Sequence, residues 1–202
     1  MPVLEVTQLR LKGVTAGDAA LLDCLSQVRG DLQTNSRFFG CDEDPNLIYI
    51  FGIWKSLDAH FEFLASPACS EVLKPQEEIL SFQWTVHLEW SSVSSSLLDA
   101  SYMAIEKIDI DAANIHRFNE AIDRRVQALR STNSLNITYG WRCDLPPGSY
   151  QAVLLTSSGL DGSRDIEAIE KLVIAGNDGC TSVLLHHVWN MEHIPLKLKA
   201  DQ

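Results

Sequence analysis

A short pattern near the middle of the chain returns near its end, and this repeat constrains the fold more than any other feature. The sequence HLEW at residues 87–90 is echoed by HHVW at residues 186–189, with both the first histidine and the tryptophan displaced by 99 positions. The segments before each pattern have the periodicity of strand, helix, strand, strand, helix, strand, in that order. The sequence therefore predicts two copies of one βαββαβ unit.

The first copy runs from the start of the chain to about residue 92. Residues 18–32 carry leucine or valine every three or four positions, which places the apolar side chains on one stripe of a helix that must cover a sheet. Turn formers at residues 42–45 separate two strands, and Ser56 is suited to cap the next helix. The predicted elements are strands at 3–11, 37–41, 46–54 and 82–90, a helix over 18–32, and a helix from 57 followed by a shorter helical piece.

The second copy follows a serine-rich linker at residues 91–98. Its clearest element is a helix capped by Asn114, in which Ile115, Phe118 and Ile122 fall at spacings of three and four. The predicted elements are strands at 102–110, 135–141, 150–156 and 183–189, the helix after 114, and a last helix over 163–175. We therefore expect one domain at residues 1–92 and a second at 99–202.

A βαββαβ unit of this kind is ferredoxin-like, with a four-stranded antiparallel sheet that carries helices on only one face. The other face must be buried, and a second copy in the same chain is the obvious partner. The predicted fold class is α+β, with two ferredoxin-like repeats whose antiparallel sheets pack into an α/β barrel. Such a chain is an intrachain pseudo-dimer, and it could pair again as a homodimer.

The charge of the chain excludes several classes of partner. The formal net charge is −11, and no basic run is present, so a nucleic-acid-binding face is not expected. No apolar stretch is long enough to span a bilayer, and the start of the chain lacks the pattern of a secretion signal. Five cysteines without a CxxC pair suit reduced thiols better than disulfides. We expect a cytoplasmic protein without nucleic-acid or membrane partners.

The segment FGIWKSLDAHFEFLASP, residues 51–67, resembles antibiotic biosynthesis monooxygenase-like domains of the dimeric α/β-barrel superfamily. In those domains a strand ends in tryptophan, and a Ser-capped helix carrying histidine or aromatic residues follows. The resemblance covers the first copy well and the second only in element order. It implies a small-molecule enzyme, since similar domains include cofactor-free oxygenases, haem-degrading enzymes and polyketide cyclases, although some have no known chemistry.

The leading catalytic candidate is His60, which shares a helical face with Leu57, Phe61 and Leu64. An inward imidazole could take a proton from a phenolic substrate. The alternative is a core histidine that bonds a backbone carbonyl, and the sequence leaves both open.

Three more histidines lie in the closing strands of the two copies. His87 and His186 stand at matched positions, and their repetition favours a structural role over a catalytic one. Strand alternation places His87 on the face opposite Trp84, so if Trp84 faces the helices and the pocket, His87 faces the space between the sheets. His187 is a weaker second pocket candidate. His186 and His187 point to opposite faces of a strand, so they cannot bind one metal ion together, and no metal site is predicted.

Aromatic residues could form the walls of a cavity for a flat ligand. The candidates for substrate binding are Tyr49, Trp54, Phe61, Phe63 and Trp84 in the first copy, and Tyr139 and Trp141 in the second. The predicted function is a secondary-metabolism enzyme acting on an apolar aromatic or polyketide-type compound, by oxygenation or cyclisation without a cofactor. The alternatives are a non-catalytic binding or interaction module of the same fold, and a haem-binding or haem-degrading relative.

Overall fold

The computed structural model describes residues 1–90, 95–132, 136–157 and 180–193. Contacts divide the chain into two compact units. The first contains residues 1–86 and the segment from Trp189 onward, and the second contains His87–Val188. Within the described residues, no helix is both long and apolar enough to cross a bilayer.

The first unit has the predicted order of strands and helices. Its sheet has the strand order β4-β1-β3-β2, the order of a ferredoxin-like unit. The side chain of Asp18 caps α1 by accepting a hydrogen bond from Ala20 N, and Ser56 caps α2 by accepting one from Ala59 N. The elements are β1 Val3–Leu11, α1 Ala19–Leu32, β2 Arg37–Cys41, β3 Leu47–Trp54, α2 Leu57–Leu64, α3 Pro67–Glu77 and β4 Leu80–Glu89.

The register of β1 against β3 decides which residues share a face of this sheet. The two strands are antiparallel, and Glu5 lies directly opposite Gly52. Because side chains alternate between faces, residues 5, 7 and 9 of β1 lie on the same side as residues 50, 52 and 54 of β3. The core of the unit includes Met191, which is fully buried and donates its backbone N–H to Phe38 O at 2.9 Å. The end of the chain thus supplies part of the first core.

The second unit repeats the strand order of the first. Its sheet has the order β8-β5-β7-β6, in which the last, first, third and second strands of the unit are neighbours, as in the first unit. The buried cluster beneath α5 includes Ile108, Phe118, Ile122 and Leu154. The elements are α4 Ser95–Leu98, β5 Tyr102–Ile110, α5 Ile115–Thr132, β6 Asn136–Trp141, β7 Gln151–Ser157 and β8 Cys180–Asn190.

The α+β fold class and the two ferredoxin-like units are confirmed. Part of the predicted linker differs from expectation, because residues 95–98 form a short helix in which Leu97 and Leu98 are buried. The predicted helix over 163–175 lies outside the described residues. The domain boundaries at 92 and 99 stay a prediction.

Candidate functional site

The first unit contains a cavity of about 420 Å³ between one face of its sheet and its three helices. Its walls are mostly aliphatic and aromatic, so it suits an apolar ligand. Nine polar or charged side chains also line it. They are Glu5, Thr7, Arg29, Thr34, Ser36, His60, Gln76, Glu77 and Thr85.

Glu5 is held in the cavity wall by two donors. Trp54 Nε1 donates to Glu5 Oε2, and Thr7 Oγ1 donates to Glu5 Oε1. Thr7 Oγ1 also lies 2.7 Å from Thr85 Oγ1, on the neighbouring strand β4. The residue directly opposite on β3 is Gly52, so no side chain from that position covers the carboxylate. These bonds fix the orientation of Glu5, and its side chain is only 15% exposed to solvent.

His60 lies beside this carboxylate. It is the buried residue of α2, with 4% relative exposure, and its Nε2 lies 3.7 Å from Glu5 Oε2. The Trp54 ring packs on the imidazole, with ring centroids 4.4 Å apart. The prediction that His60 points inward is confirmed, whereas its catalytic role stays a prediction.

A carboxylate beside an imidazole can perform acid–base chemistry. When His60 accepts a proton, the imidazolium forms next to the negative charge of Glu5, in a site where few water molecules screen the attraction. The ring contact with Trp54 limits the orientations that the imidazole can adopt. The pair can therefore take a proton from a bound ligand and return it.

A second polar group lies where α1 leads into β2. Arg29 donates to Ser36 O at 3.0 Å and to Glu192 Oε1 at 2.8 Å, and its guanidinium lies 5.0 Å from the centre of the Phe38 ring. The hydroxyl groups of Thr34 and Ser36 are 2.6 Å apart and are buried. Arg29 is thus occupied by protein partners, whereas the two hydroxyls are available to the cavity.

Only some of the aromatic residues that the sequence predicts for substrate binding line the cavity. Trp54 and Phe63 line the cavity, and their rings are 5.6 Å apart. Phe61 is 48% exposed and is not among the cavity-lining residues, although its ring stacks on His60 at 6.1 Å. One residue advances the helix by about 100°, so His60 and Phe61 cannot both face the sheet directly.

Tyr49 and Trp84 lie on the opposite face of the sheet. Tyr49 is paired with Gln8, whose amide donates to the phenol oxygen at 2.6 Å, and the Tyr49 and Trp84 rings meet edge to face at 5.9 Å. Trp84 therefore does not face the helices. Thr85, the next residue of β4, lines the cavity, and successive side chains of a strand point to opposite faces. A ligand-binding role for Tyr49 and Trp84 stays a prediction.

The other three candidate histidines belong to the second unit. His87 is 1% exposed, and its Nδ1 lies 2.8 Å from Asp144 Oδ2, while Arg142 Nε donates to the other oxygen of the same carboxylate. His187 is buried, and its ring is nearly parallel to that of Tyr102 at 6.2 Å. His186 is half-buried. Their proposed catalytic roles stay predictions.

Tyr139 and Trp141 pack against α5. Their rings contact the buried ring of Phe118 edge to face, at 6.4 and 5.4 Å. The phenol of Tyr139 donates to Asp123 Oδ1 at 3.1 Å. Burial, followed by the adjacent Asp123 carboxylate, raises the pKa of Tyr139. These contacts are those of a helix–sheet core, and a ligand-binding role for the two residues stays a prediction.

Sequence reasoning missed Glu5, Thr34 and Ser36. A carboxylate inside an apolar strand is an available signal for Glu5, because strands rarely bury an acid without a partner. The two hydroxyl residues follow a helix end and look like ordinary loop residues. Only the folded chain brings them to the same cavity.

No protein-family model matches the sequence, and no curated protein matches it significantly. Solved structures do match it. A provisionally named monooxygenase from Lactobacillus acidophilus NCFM is 11% identical, with 94% of each chain covered and a TM-score of 0.56. A similarly named protein from Fusobacterium nucleatum is 12% identical, with 94% of this chain and 92% of that chain covered and a TM-score of 0.57.

A mutant chlorite dismutase from Candidatus Nitrospira defluvii is 10% identical, with 95% of this chain and 92% of that chain covered and a TM-score of 0.58. At these identities the likeness shows the fold alone. The expected resemblance to the dimeric α/β-barrel superfamily is confirmed at that level. The reaction must be argued from the cavity itself.

Proposed function

We propose that this chain is an enzyme that acts on an apolar aromatic or polyketide-type compound, by cofactor-free oxygenation or by cyclisation. The observation that carries the proposal is the Glu5–His60 pair, largely out of solvent, in the wall of a mostly apolar cavity. Such a cavity binds a flat apolar molecule, and the pair supplies one proton acceptor at a fixed place. We place this enzyme in secondary metabolism and in the cytoplasm.

The first step is ionisation of the bound substrate. A phenol or enol loses its proton to His60, and the carboxylate of Glu5 stabilises the imidazolium. Trp54 and Phe63 lie against the substrate plane and limit its motion, which favours one reactive conformer. The apolar walls exclude water from the anion.

The substrate anion can then react in either of two ways. In a cyclisation, its carbon attacks a carbonyl of the same molecule, and His60 returns the proton to the new alkoxide. In an oxygenation at a CH₂ carbon, the ionised substrate supplies the electrons to O₂. The carbon forms a hydroperoxide, which loses water to leave a carbonyl. Both steps balance without a further reductant, and both start from the same ionised substrate.

The described residues do not fit a haem site in this cavity. Chlorite dismutase is a haem enzyme, so the fold by itself would allow one. His60 Nε2, however, faces Glu5 rather than standing open to an iron. Arg29 is the only lysine or arginine among the cavity-lining residues, and it already binds Ser36 and Glu192. The carboxylates of a haem would therefore lack a cationic partner here.

The test is to incubate the protein with polycyclic phenols such as 1,3-dihydroxynaphthalene and to follow oxygen uptake and product mass. We expect His60→Ala to lower turnover by about a hundredfold or more with the fold intact. His187→Ala is the matched control, since it removes a buried histidine of the second unit, and turnover should stay within a few-fold of wild type.

The rival function, a non-catalytic binding or interaction module, predicts binding without turnover. In that case His60→Ala should lower the free energy of unfolding by roughly 1–3 kcal/mol, and neither the wild type nor the variant should turn over the phenols. An equal loss of turnover in His60→Ala and His187→Ala would contradict the single-site proposal.

A further inference from the structure

Three polar groups of the cavity wall lie around a glycine of β3. A Cβ on Gly52 would lie 3.2 Å from Ser36 Oγ, 3.6 Å from Glu5 Oε2 and 3.8 Å from Trp54 Nε1. The φ angle of Gly52 is not positive, so the backbone does not demand glycine there. A methyl group there would crowd the Ser36 hydroxyl, so glycine instead leaves three polar groups of the cavity wall uncovered, and we name the place that they border the Gly52 niche.

One side of the Gly52 niche carries an unused hydrogen-bond donor. The hydroxyl oxygens of Thr34 and Ser36 are 2.6 Å apart, and these residues are only 4% and 6% exposed. Each hydroxyl has one hydrogen, and their mutual bond uses only one of the two. The second hydrogen has no acceptor among the residues that the structure describes, although both side chains line the cavity.

The backbone around this hydroxyl pair is fixed. Gln33 and Asn35 both have left-handed conformations, with φ of 55° and 47°. Thr34 O accepts the N–H of Ile53 at 3.1 Å, which ties the loop to β3. Two left-handed non-glycine residues on either side of one position are uncommon and persist where the surroundings hold them. The loop therefore presents both hydroxyls to the cavity in one arrangement.

The other side of the Gly52 niche offers an acceptor. Glu5 Oε2 borders the niche and lies 3.7 Å from His60 Nε2, so the proton-accepting pair adjoins the same space. A group that fills this niche must accept a hydrogen bond from the hydroxyl pair and donate one towards the carboxylate. A hydroxyl group does both, whereas an ether or a carbonyl only accepts.

We propose that the Gly52 niche binds the ionisable hydroxyl of a phenolic or enolic substrate. This assignment rests on the proposed function and names the part of the substrate that it recognises. On ionisation the O–H bond breaks, its proton moves to the Glu5–His60 pair, and the electron pair stays on the substrate oxygen. The Thr34–Ser36 donor then stabilises the new negative charge, as donors aimed at a developing oxyanion do.

The first experiment needs no variant. Binding of 2-naphthol, 2-methoxynaphthalene and naphthalene to the full chain is measured by the change in ligand fluorescence at pH 7. We expect 2-naphthol to bind about tenfold more tightly than either of the other two, the scale of one or two net hydrogen bonds. Failure of all three to bind would overturn the proposed function together with the niche. Equal binding of the three would overturn the niche alone.

The second experiment removes the donor. In the double variant Thr34→Val, Ser36→Ala, the advantage of 2-naphthol over naphthalene should disappear, and naphthalene should bind as in wild type. The pKa of bound 2-naphthol, read from its absorbance, should be about one unit higher than in the wild-type complex. Thr156→Val removes a buried hydroxyl of the second unit and should change neither quantity. A preference for 2-naphthol that survives the double variant would overturn the assignment.

The third experiment fills the space. Gly52→Ala places a methyl group 3.2 Å from Ser36 Oγ, and we expect it to weaken 2-naphthol binding about tenfold while sparing naphthalene. Melting curves show whether each variant folds. If the double variant does not fold, Gly52→Ala and the wild-type ligand series still decide the question. Unchanged 2-naphthol binding by folded Gly52→Ala would contradict the niche.

Discussion

The two units share one strand order but differ on the helix-facing side of their first strand. In β1 this side presents Glu5 and Thr7 to a cavity. In β5 the corresponding side holds Ile108, which packs into the apolar cluster under α5, and Glu106, which lies opposite Leu154 of the same cluster. One fold thus carries a polar site in one copy and a packed core in the other, so the site and not the fold determines the chemistry.

The units also differ in how the chain builds them. The second is continuous from His87 to Val188, whereas the first uses both ends of the chain. Met191 completes the first core, and the Trp189 ring lies against Gly40.

The largest effect that we predict follows from this difference. A fragment of residues 1–92 lacks Trp189 and Met191, so its core is incomplete, and we expect it to be unfolded or to self-associate. Circular dichroism and analytical ultracentrifugation compare the fragment with the full chain. A stable monomeric fragment would show that the first unit does not need the end of the chain.

The next prediction compares Glu5 with Glu106, a carboxylate on the first strand of the second unit. Glu5→Gln removes the charge that stabilises the His60 imidazolium, and turnover should fall about tenfold or more. Glu106→Gln is the matched control, because it makes the same change on the first strand of the second unit, and turnover should stay within a few-fold of wild type. Equal losses would mean that the two units share the chemistry, which would break the comparison.

The order of strands and helices along the chain could be predicted from the sequence because it depends on local periodicity. Alternation marks the strands, and spacings of three or four residues mark the helices. The order of strands within each sheet then follows from the ferredoxin-like unit that this sequence of elements defines. The inward direction of His60 was predicted correctly, although Phe61 and Leu64, which were assigned to the same helical face, are exposed.

The site could be predicted only in part. In β1, polar residues occur on both faces, with Glu5 and Thr7 on one and Gln8 on the other, so the sequence does not show which face lines a cavity. The closeness of Glu5 to Gly52 depends on the register of two strands far apart in sequence. The same ambiguity affects β4, in which Thr85 and not Trp84 lines the cavity.

A stability comparison tests the contribution of the chain end to the first unit. In Gly40→Ala the new Cβ would lie 2.6 Å from two ring atoms of Trp189, and overpacking should cost about 1–3 kcal/mol of unfolding free energy. Gly30→Ala is the control. Gly30 lies in α1, and beyond its own turn of helix nothing lies within 4 Å of the new methyl group, so the change should stabilise the chain by about 0.5–1 kcal/mol. Urea unfolding measures both. Equal effects would mean that Trp189 does not pack tightly on β2.

The smallest predicted effect concerns the acid–base pair of the second unit. Burial by itself raises the pKa of Asp144, but hydrogen bonds from His87 and Arg142 outweigh it and hold the pKa below its ordinary value of 3.8. Because the pKa is lower in the folded chain, the carboxylate stabilises the fold fully above the unfolded-state value. That stabilisation is lost as the pH falls through the folded-state value.

We therefore expect Asp144→Asn to cost about 1 kcal/mol of unfolding free energy at pH 7, and this difference from wild type should shrink as the pH falls below about 4. Unfolding in urea at a series of pH values measures this effect. A difference that stays constant into acid would contradict the prediction, because it would show that the hydrogen bonds from His87 and Arg142 stabilise the fold equally whether or not Asp144 is charged.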